Sequence, residues 1–335
     1  EWISSIEIEN IAVGHPDVTT PTLDRLANEG ALFRRAYSTC PFCIPARLAL
    51  LTGLHPPQTS GLVGYAPFLI KHPTGYFDLI EHLDAQLAPL IAAFTARSRA
   101  AGRTWIIVFT IDHGELLGDH DYFRKCEPYE GSANIPFIIA ASPDLTFTAG
   151  LRSHQPVCLE DIMPTLLELA DLPSPKPMDG IRLVATLRGA ATPLRATLHS
   201  EHANTYGPAQ AFHALTDGRA KYLWRPADGT EQLFDLTHDP REEHNLTPAA
   251  AHAAALANWH TRMIRTLTDR PEGFTDGSRL IAGRPYPAIQ NARRIHSPVT
   301  APARHSRPPH RHVQRWSSLH NFSTVAVEPC PPGIG

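Results

Sequence analysis

A chain of 335 residues, 42% hydrophobic and 19% charged, is long enough for one large domain or two ordinary ones and apolar enough to bury a core. Its formal net charge of −3 argues against any general attraction to nucleic acid or to an anionic membrane surface. Its five cysteines (Cys40, Cys43, Cys126, Cys158 and Cys330) are odd in number and scattered, which argues against a disulfide framework. No apolar run reaches the length of a membrane-spanning helix, about 18 residues. Glu1-Trp2-Ile3-Ser4-Ser5 shows no signal peptide, so as it stands the chain reads as cytoplasmic. It also lacks an initiator Met, and a lost leader would make it secreted or periplasmic.

In chain order, Ile6 to Val13 alternates weakly and suits a short strand. Thr20 to Gly30 predicts a helix, with Thr20 as cap, Pro21 in the first turn, Leu23 and Leu26 on one face and Gly30 as its end. Ala31 to Tyr37 reads as a strand leading into Cys40-Pro41-Phe42-Cys43-Ile44-Pro45-Ala46-Arg47, a cysteine in a Pro-containing turn. A short helix follows to Leu54, closed by Gly53, and His55 to Gly75 is turn-rich. Leu79, Ile80, Leu83, Leu87, Leu90, Ile91 and Phe94 recur at helical spacing, predicting a helix from Phe77 to Ala101 that Pro89 should kink or break.

Thr104 to Thr110 is a continuous apolar run and reads as a buried strand of a parallel sheet. Ile135 to Ala140 reads as another buried strand, and Glu160 to Ala170 as an amphipathic helix. This alternation predicts an α/β fold: a mainly parallel or mixed central sheet sandwiched by helices. From about Arg195 the pattern changes to short strands at Phe212–Leu215, Lys221–Trp224 and Glu231–Asp235, an antiparallel meander, followed by an Ala-rich helix from Ala249 to Leu267. Three regions follow: an α/β core at 1–194, a C-terminal antiparallel sheet with a helix at 195–288, and a disordered Arg/His/Pro-rich tail at 289–335.

Several residues can carry chemistry. Cys43 before a helix has oriented N–H groups beside it, and Arg47 presents two parallel donors suited to a tetrahedral oxyanion. A buried structural thiol is the plain alternative. Asp112 and His113 end the apolar strand, at the edge where α/β sheets place ligands, and offer a carboxylate and an imidazole to a cation. A helix cap is the plain alternative for Asp112. Lys125 can neutralise an anion from a cleft or stand solvated on a loop. Cys40 and Cys43 form a C-x-x-C pair, without the βαβ surroundings of a redox unit or the second pair of a zinc site.

Together these stretches resemble the sulfatase family. Cys43-Ile44-Pro45-Ala46-Arg47 with Leu51-Thr52-Gly53 resembles its C-x-P-x-R…TG motif, and Thr20 to Gly30 its TPxLDRLAxEG helix. Phe109 to His120 resembles its TSDHGE-x-LGDH stretch and Tyr129 to Pro136 its YEGSxxVP stretch. Leu233-Phe234-Asp235-Leu236 with Asp239 to Leu246 resembles its LYDLxxDPxExxNL stretch. The resemblance runs from about Gly14 to Ala288 and implies a sulfuric ester hydrolase of arylsulfatase type in the alkaline phosphatase-like superfamily. It implies that a maturing enzyme oxidises Cys43 to formylglycine, whose hydrate attacks a small sulfate ester, with Arg47 assisting. Asp112, His113 and residue 43 would ligate a divalent metal, typically calcium, with manganese or zinc if the substrate is a phosphoester. Lys125 would hold the sulfate or its leaving oxygen.

The chain departs from the family at two places. No Asp-Asp pair stands near the N-terminus, and where the family has a Gly-Lys-x-His stretch and a second His only Lys71-His72 is present. The chain therefore reads as truncated at its start and internally, with a donor set short of the six to eight oxygens calcium takes. A phosphodiester or phosphonate monoester hydrolase of the same superfamily is the alternative activity, an inactive remnant of the fold a further one, and a C-x-x-C redox protein the last.

Overall fold

The computed structural model describes residues 18–55, 73–122, 124–175, 178–203 and 207–286. The strand expected at 6–13, the turn-rich stretch 56–72 with Lys71 and His72, and the tail from 289 lie outside the described residues.

The first half of the described chain forms α1 (Pro21–Glu29), β1 (Ala31–Phe33), β2 (Ala36–Tyr37), α2 (Cys43–Thr52), α3 (Pro73–Ala100), β3 (Ile106–Thr110), α4 (Glu130–Ala133) and β4 (Phe137–Ala141). There follow β5 (Leu151–Ser153), β6 (Val157–Cys158), α5 (Ile162–Leu169), α6 (Val184–Leu187), β7 (Leu198–His202), β8 (Phe212–Thr216), β9 (Ala220–Trp224), β10 (Glu231–Asp235) and α7 (Ala253–Leu267).

The first sheet has the order β3-β4-β1-β5 and is mixed: β1 runs parallel to β5, whereas β4 is antiparallel to both β1 and β3. Its two faces are covered by different helices. Leu23 and Leu26 of α1 and Ile91 of α3 pack with Leu32, Ile138 and Ala140 on one side. Ala46 of α2, Ile162 of α5 and Leu187 of α6 pack with Phe33, Phe137 and Ile139 on the other. The second sheet is the antiparallel meander β10-β9-β8-β7. Tyr222, Trp224 and Leu233 pack there against Trp259, Met263 and Leu267 of α7. Each such large side chain contributes roughly 1.5–3 kcal/mol on burial.

The expected α/β architecture with a smaller antiparallel sheet is thus present, with local differences. β3 is half-buried, stands at the edge of its sheet among the described strands and is antiparallel to β4, so it is not a buried parallel strand. Its apolar run is continuous because alternate residues face alternate helix layers: Ile107 and Phe109 lean on the α1/α3 side, Ile106 and Val108 on the α2/α5/α6 side. A run of this kind reports two apolar faces and says nothing of the neighbour's direction. α3 begins at Pro73, whose fixed φ suits a first turn, and runs through Pro89 unbroken. The N-terminus of α1 is capped from elsewhere: Asp84 of α3 accepts the Thr22 and Leu23 amides at 3.0 and 2.8 Å, and the Thr20 side chain makes no cap bond. β7 has no counterpart in the expected meander, because its Leu-His-Ser-Glu-His sequence buries polar side chains.

Candidate active site

Cys43 is the first helical residue of α2 rather than part of a preceding turn. The backbone is extended at Phe42 and turns helical at Cys43, so the Ala46 amide bonds the Phe42 carbonyl at 3.0 Å. Gly53 ends the helix in the left-handed conformation, at φ 67°. The half-buried Cys43 side chain is a free thiol.

Strand β3 delivers the facing residues. Just beyond its last residue, Asp112 and His113 turn toward α2. His113 Nδ1 lies 2.9 Å from the Gly114 carbonyl, so it is the protonated nitrogen. Nε2 therefore carries the lone pair, and it stands 3.3 Å from Cys43 Sγ. Burial, with a smaller contribution from the Lys125 charge, holds the His113 pKa below the usual histidine range and keeps the ring neutral. Arg47, one turn along α2, donates from Nε to Asp112 Oδ2 at 2.9 Å, while its side chain stays 70% exposed. Gly114 is required by contact: a Cβ there would meet the Gly131 carbonyl oxygen at 2.2 Å. The Gly114 amide also bonds the Ser132 carbonyl at 2.8 Å, which seats the Asp-His-Gly stretch on α4.

Lys125 joins this group from a loop. Its Nζ lies over the Phe42 ring, 5.8 Å from the centroid. Arg124 and Cys126 on either side have φ of 77° and 81°, and Leu117, His120 and Asp121 earlier in the loop are also left-handed. Such residues cost on the order of 1 kcal/mol or more each and persist only where the surroundings over-determine them. Glu115 is one such determinant: its Oε1 accepts the Arg124 amide, and the Leu116 amide bonds the Arg124 carbonyl at 2.7 Å. Arg241 secures the other end by an ion pair to Asp119 at 2.9 Å. Glu115 stood in the His113 motif of the sequence, but no role was assigned to it.

The structure therefore brings all five expected residues into one neighbourhood, with Cys43, Asp112 and His113 ligand atoms within 4.8 Å of one another. As a metal site the group is incomplete for calcium. It offers one carboxylate, one imidazole nitrogen and residue 43, where calcium takes six to eight oxygens. The carboxylate is also already held by a guanidinium. Among the described residues no further His, Cys, Asp or Glu joins this cluster.

Two buried networks join the site's sheet to the second sheet. Lys221 of β9 donates to Glu130 of α4 at 2.7 Å and to Glu242 at 2.8 Å, and the Glu130 amide donates to Glu242 at 2.6 Å. Burial pushes Glu242 up to about 7, against the pull of Lys221 and with the help of Glu130. The second network centres on Glu201 of β7, which is bonded by Arg270 at 2.8 Å, by Tyr286 and by His55 at 3.3 Å. His55 also donates to the His199 carbonyl at 3.1 Å. Burial opposes the charge on His55, but Glu201 outweighs it and lifts the pKa to about 9. His55, Glu201 and Lys221 stood in the sequence without any pattern that singled them out.

An acid, an imidazole and a thiol lie together beyond the end of β3 in an α/β fold, with Arg47 bonded to the acid and Lys125 in the adjoining loop. Residues 10–75 match the sulfatase family model, and residues 118–269 the model of the C-terminal region of N-sulphoglucosamine sulphohydrolase. An arylsulfatase of Clostridium perfringens is 33% identical over 226 residues, covering 67% of this chain and 46% of its own length. A solved 2-O GAG sulfatase superposes with a TM-score of 0.67 at 16% identity, over 80% of this chain and 90% of its own, and shares the fold. The phosphonate monoester hydrolase of Silicibacter pomeroyi superposes with a TM-score of 0.50 at 29% identity, over 58% of this chain and 40% of its own. The chain belongs to the sulfatase family, and it spans about half the length of that arylsulfatase.

Proposed function

We propose that the chain acts on sulfate esters at the group formed by Cys43, Arg47, Asp112, His113 and Lys125. The observation that carries this reading is the placement of residue 43 at the start of α2, facing the unprotonated Nε2 of His113 at 3.3 Å. An acceptor nitrogen at Sγ, with Arg47 on the neighbouring Asp112 and Lys125 over the neighbouring Phe42, suits an oxidised residue 43. Formylglycine there, installed by a sulfatase-maturing enzyme, would add water, and a hydroxyl of the resulting hydrate would be the nucleophile. His113 Nε2 accepts the proton that this group releases. Arg47 presents N–H donors to the ester's sulfate oxygens, and Asp112 orients that guanidinium. Lys125 balances the charge that grows on the leaving oxygen. In the family's metal-bound form Asp112 and His113 would instead be protein ligands of a divalent ion, typically calcium, and His113 Nε2 would then not be free to act as the base. Their oxygen complement is too small for calcium, so no step here runs through the ion.

Similarity to a phosphonate monoester hydrolase supports a second reading, in which the same cations receive a phosphodiester or phosphonate monoester, with manganese or zinc as the metal. The short donor set supports a third, an inactive remnant. Coexpression with a maturing enzyme, mass spectrometry of the peptide carrying residue 43, and turnover of matched aryl sulfate, phosphodiester and phosphonate esters separate the three. An aldehyde at position 43 with aryl sulfate turnover is expected. Turnover of the phosphorus esters alone overturns the sulfate reading, and an intact thiol with no turnover establishes the remnant.

A further inference from the structure

The loop that carries Lys125 is strained along much of its length. Leu117, His120, Asp121, Arg124 and Cys126 all hold left-handed backbone, at φ between 51° and 81°. Its two arms are tied to each other: the Leu116 amide bonds the Arg124 carbonyl at 2.7 Å, and the Gly118 amide bonds the Tyr122 carbonyl at 2.8 Å. Backbone of this kind keeps one shape only where its surroundings hold it. At the tip those surroundings come from the turn that follows β10. Arg241 donates from Nη2 to Asp119 Oδ1 at 2.9 Å, and its carbonyl accepts His120 Nε2–H at 3.1 Å. Asp119 Oδ2 packs on Gly131 of α4, where a Cβ would meet it at 3.3 Å. The His120 ring stacks on Tyr129, with 3.8 Å between centroids. The Arg241–Asp119 pair is largely withdrawn from water, its side chains 17% and 16% exposed.

The turn that delivers Arg241 is itself fixed. The Asp239 carboxylate accepts the Glu243 and His244 amides at 3.1 and 2.8 Å, and the Asp239 amide bonds the Asp235 carbonyl, at the end of β10, at 2.8 Å. Neighbouring Glu242, at φ 60°, turns inward to Lys221 and to the Glu130 amide. One turn therefore serves two places. Glu242 is buried in the network between the sheets, and Arg241 clasps the tip of the Lys125 loop. From that tip the chain returns through Arg124, whose amide and carbonyl are held by Glu115 and the Leu116 amide. It then places Lys125 over the ring of Phe42, the residue before Cys43. The second sheet thus reaches the Cys43 cluster through this loop.

We propose that Arg241 is a positioning residue: by clasping Asp119 and His120 it fixes the arm on which Lys125 meets the leaving oxygen of the ester. The inference rests on the role proposed above for Lys125. Arg241 acts on the reaction only through the loop. A shift of about 1 Å at a catalytic group can cost about 100-fold in rate, so a clasp at the far end of a strained loop is enough to matter.

Trypsin reads the clasp without any substrate, because it cuts after Arg124 and Lys125. In Arg241→Ala, cutting of the native protein at those two bonds should rise about tenfold or more, with the circular dichroism spectrum unchanged. Asp119→Asn, which removes the charge at the other end of the pair, should behave alike. Arg241→Lys, which keeps a cation for Asp119, should restore most of the protection. Matured protein gives the second readout. Arg241→Ala should lower kcat about 100-fold for phenyl sulfate and about tenfold for p-nitrophenyl sulfate, with KM little changed, because the poorer leaving group leans harder on Lys125. In a Lys125→Met background, Arg241→Ala should lower neither rate further. Unchanged tryptic cutting in both Arg241→Ala and Asp119→Asn would overturn the clasp. Equal losses on the two esters, or a further loss in the Lys125→Met background, would overturn action through Lys125. A parent that turns over neither ester would overturn the sulfate-ester reading instead, and the tryptic result would still decide the clasp.

Discussion

At the junction of the two sheets the carboxylates and Lys221 are buried and paired. Lys221 sits between Glu130 and Glu242, and Glu201 between Arg270, Tyr286 and His55. At the rim that carries Cys43 the opposite holds: Arg47 is 70% exposed, β3 is half-buried, and the donor cluster falls short of a calcium shell. On the proposed function, scaffold and chemistry are largely separate in this chain. The junction holds the fold together away from the Cys43 cluster, and at the rim the exposed Arg47, unlike Gly114, can change without loosening the fold.

That contrast is sharpest at Lys221. Lys221→Met leaves Glu242 buried without its cation and Glu130 with only Arg35, at 3.4 Å, and should cost about 3–5 kcal/mol. Urea denaturation at neutral pH measures it, and adding Glu242→Gln should recover part of the loss. A cost below about 1 kcal/mol would mean that the junction is not the stabilising element. Arg47→Ala probes the other side. In matured protein it should lower aryl sulfate turnover by about 10²–10³-fold while leaving the melting temperature in place. A large fall in melting temperature would break the separation.

His55 gives the junction a pH signature. Its folded pKa of about 9 lies above the unfolded value of 6.5, so its stabilisation is complete below pH 6.5 and lost as pH rises toward 9. The loss is on the order of 3 kcal/mol. Glu242, raised to about 7, acts in the same sense between its unfolded value of 4.5 and about 7, so the interval above pH 7 isolates His55. Melting temperatures across pH 7–9 should fall for the parent and stay nearly level for His55→Asn. The smallest effect is expected at Glu115, which joins the two regions by holding the Lys125 loop. Glu115→Gln should cut kcat about tenfold with little change in KM. An equal loss in Lys125→Met and in the double variant would confirm that Glu115 acts through Lys125.

What the sequence disclosed follows the same division. The start of α1 was legible from Thr20-Pro21 and a two-residue apolar face, and the rim from short motifs whose residues touch: Cys43 meets His113, and Arg47 meets Asp112. The junction was illegible because its partners lie far apart in the chain. Lys221 is 91 residues from Glu130, a distance no local pattern spans. β7 escaped for the same reason: a strand that buries Glu201 and His202 looks polar until Arg270 and Tyr286 are set beside it. β3 showed its two apolar faces in its composition but not its direction, which β4 decides.

The contact between Gly114 and the Gly131 carbonyl has a consequence for how such a chain drifts through descent. A side chain at position 114 would push the end of β3 off α4, and with it the helix that anchors Lys221. A lineage released from selection on turnover would still be held to glycine at 114, and to the close turn at 130–132, by the need to fold. In such a lineage the signature around His113 would therefore outlast the chemistry. The freer marker of a working enzyme is Arg47, which the fold does not need.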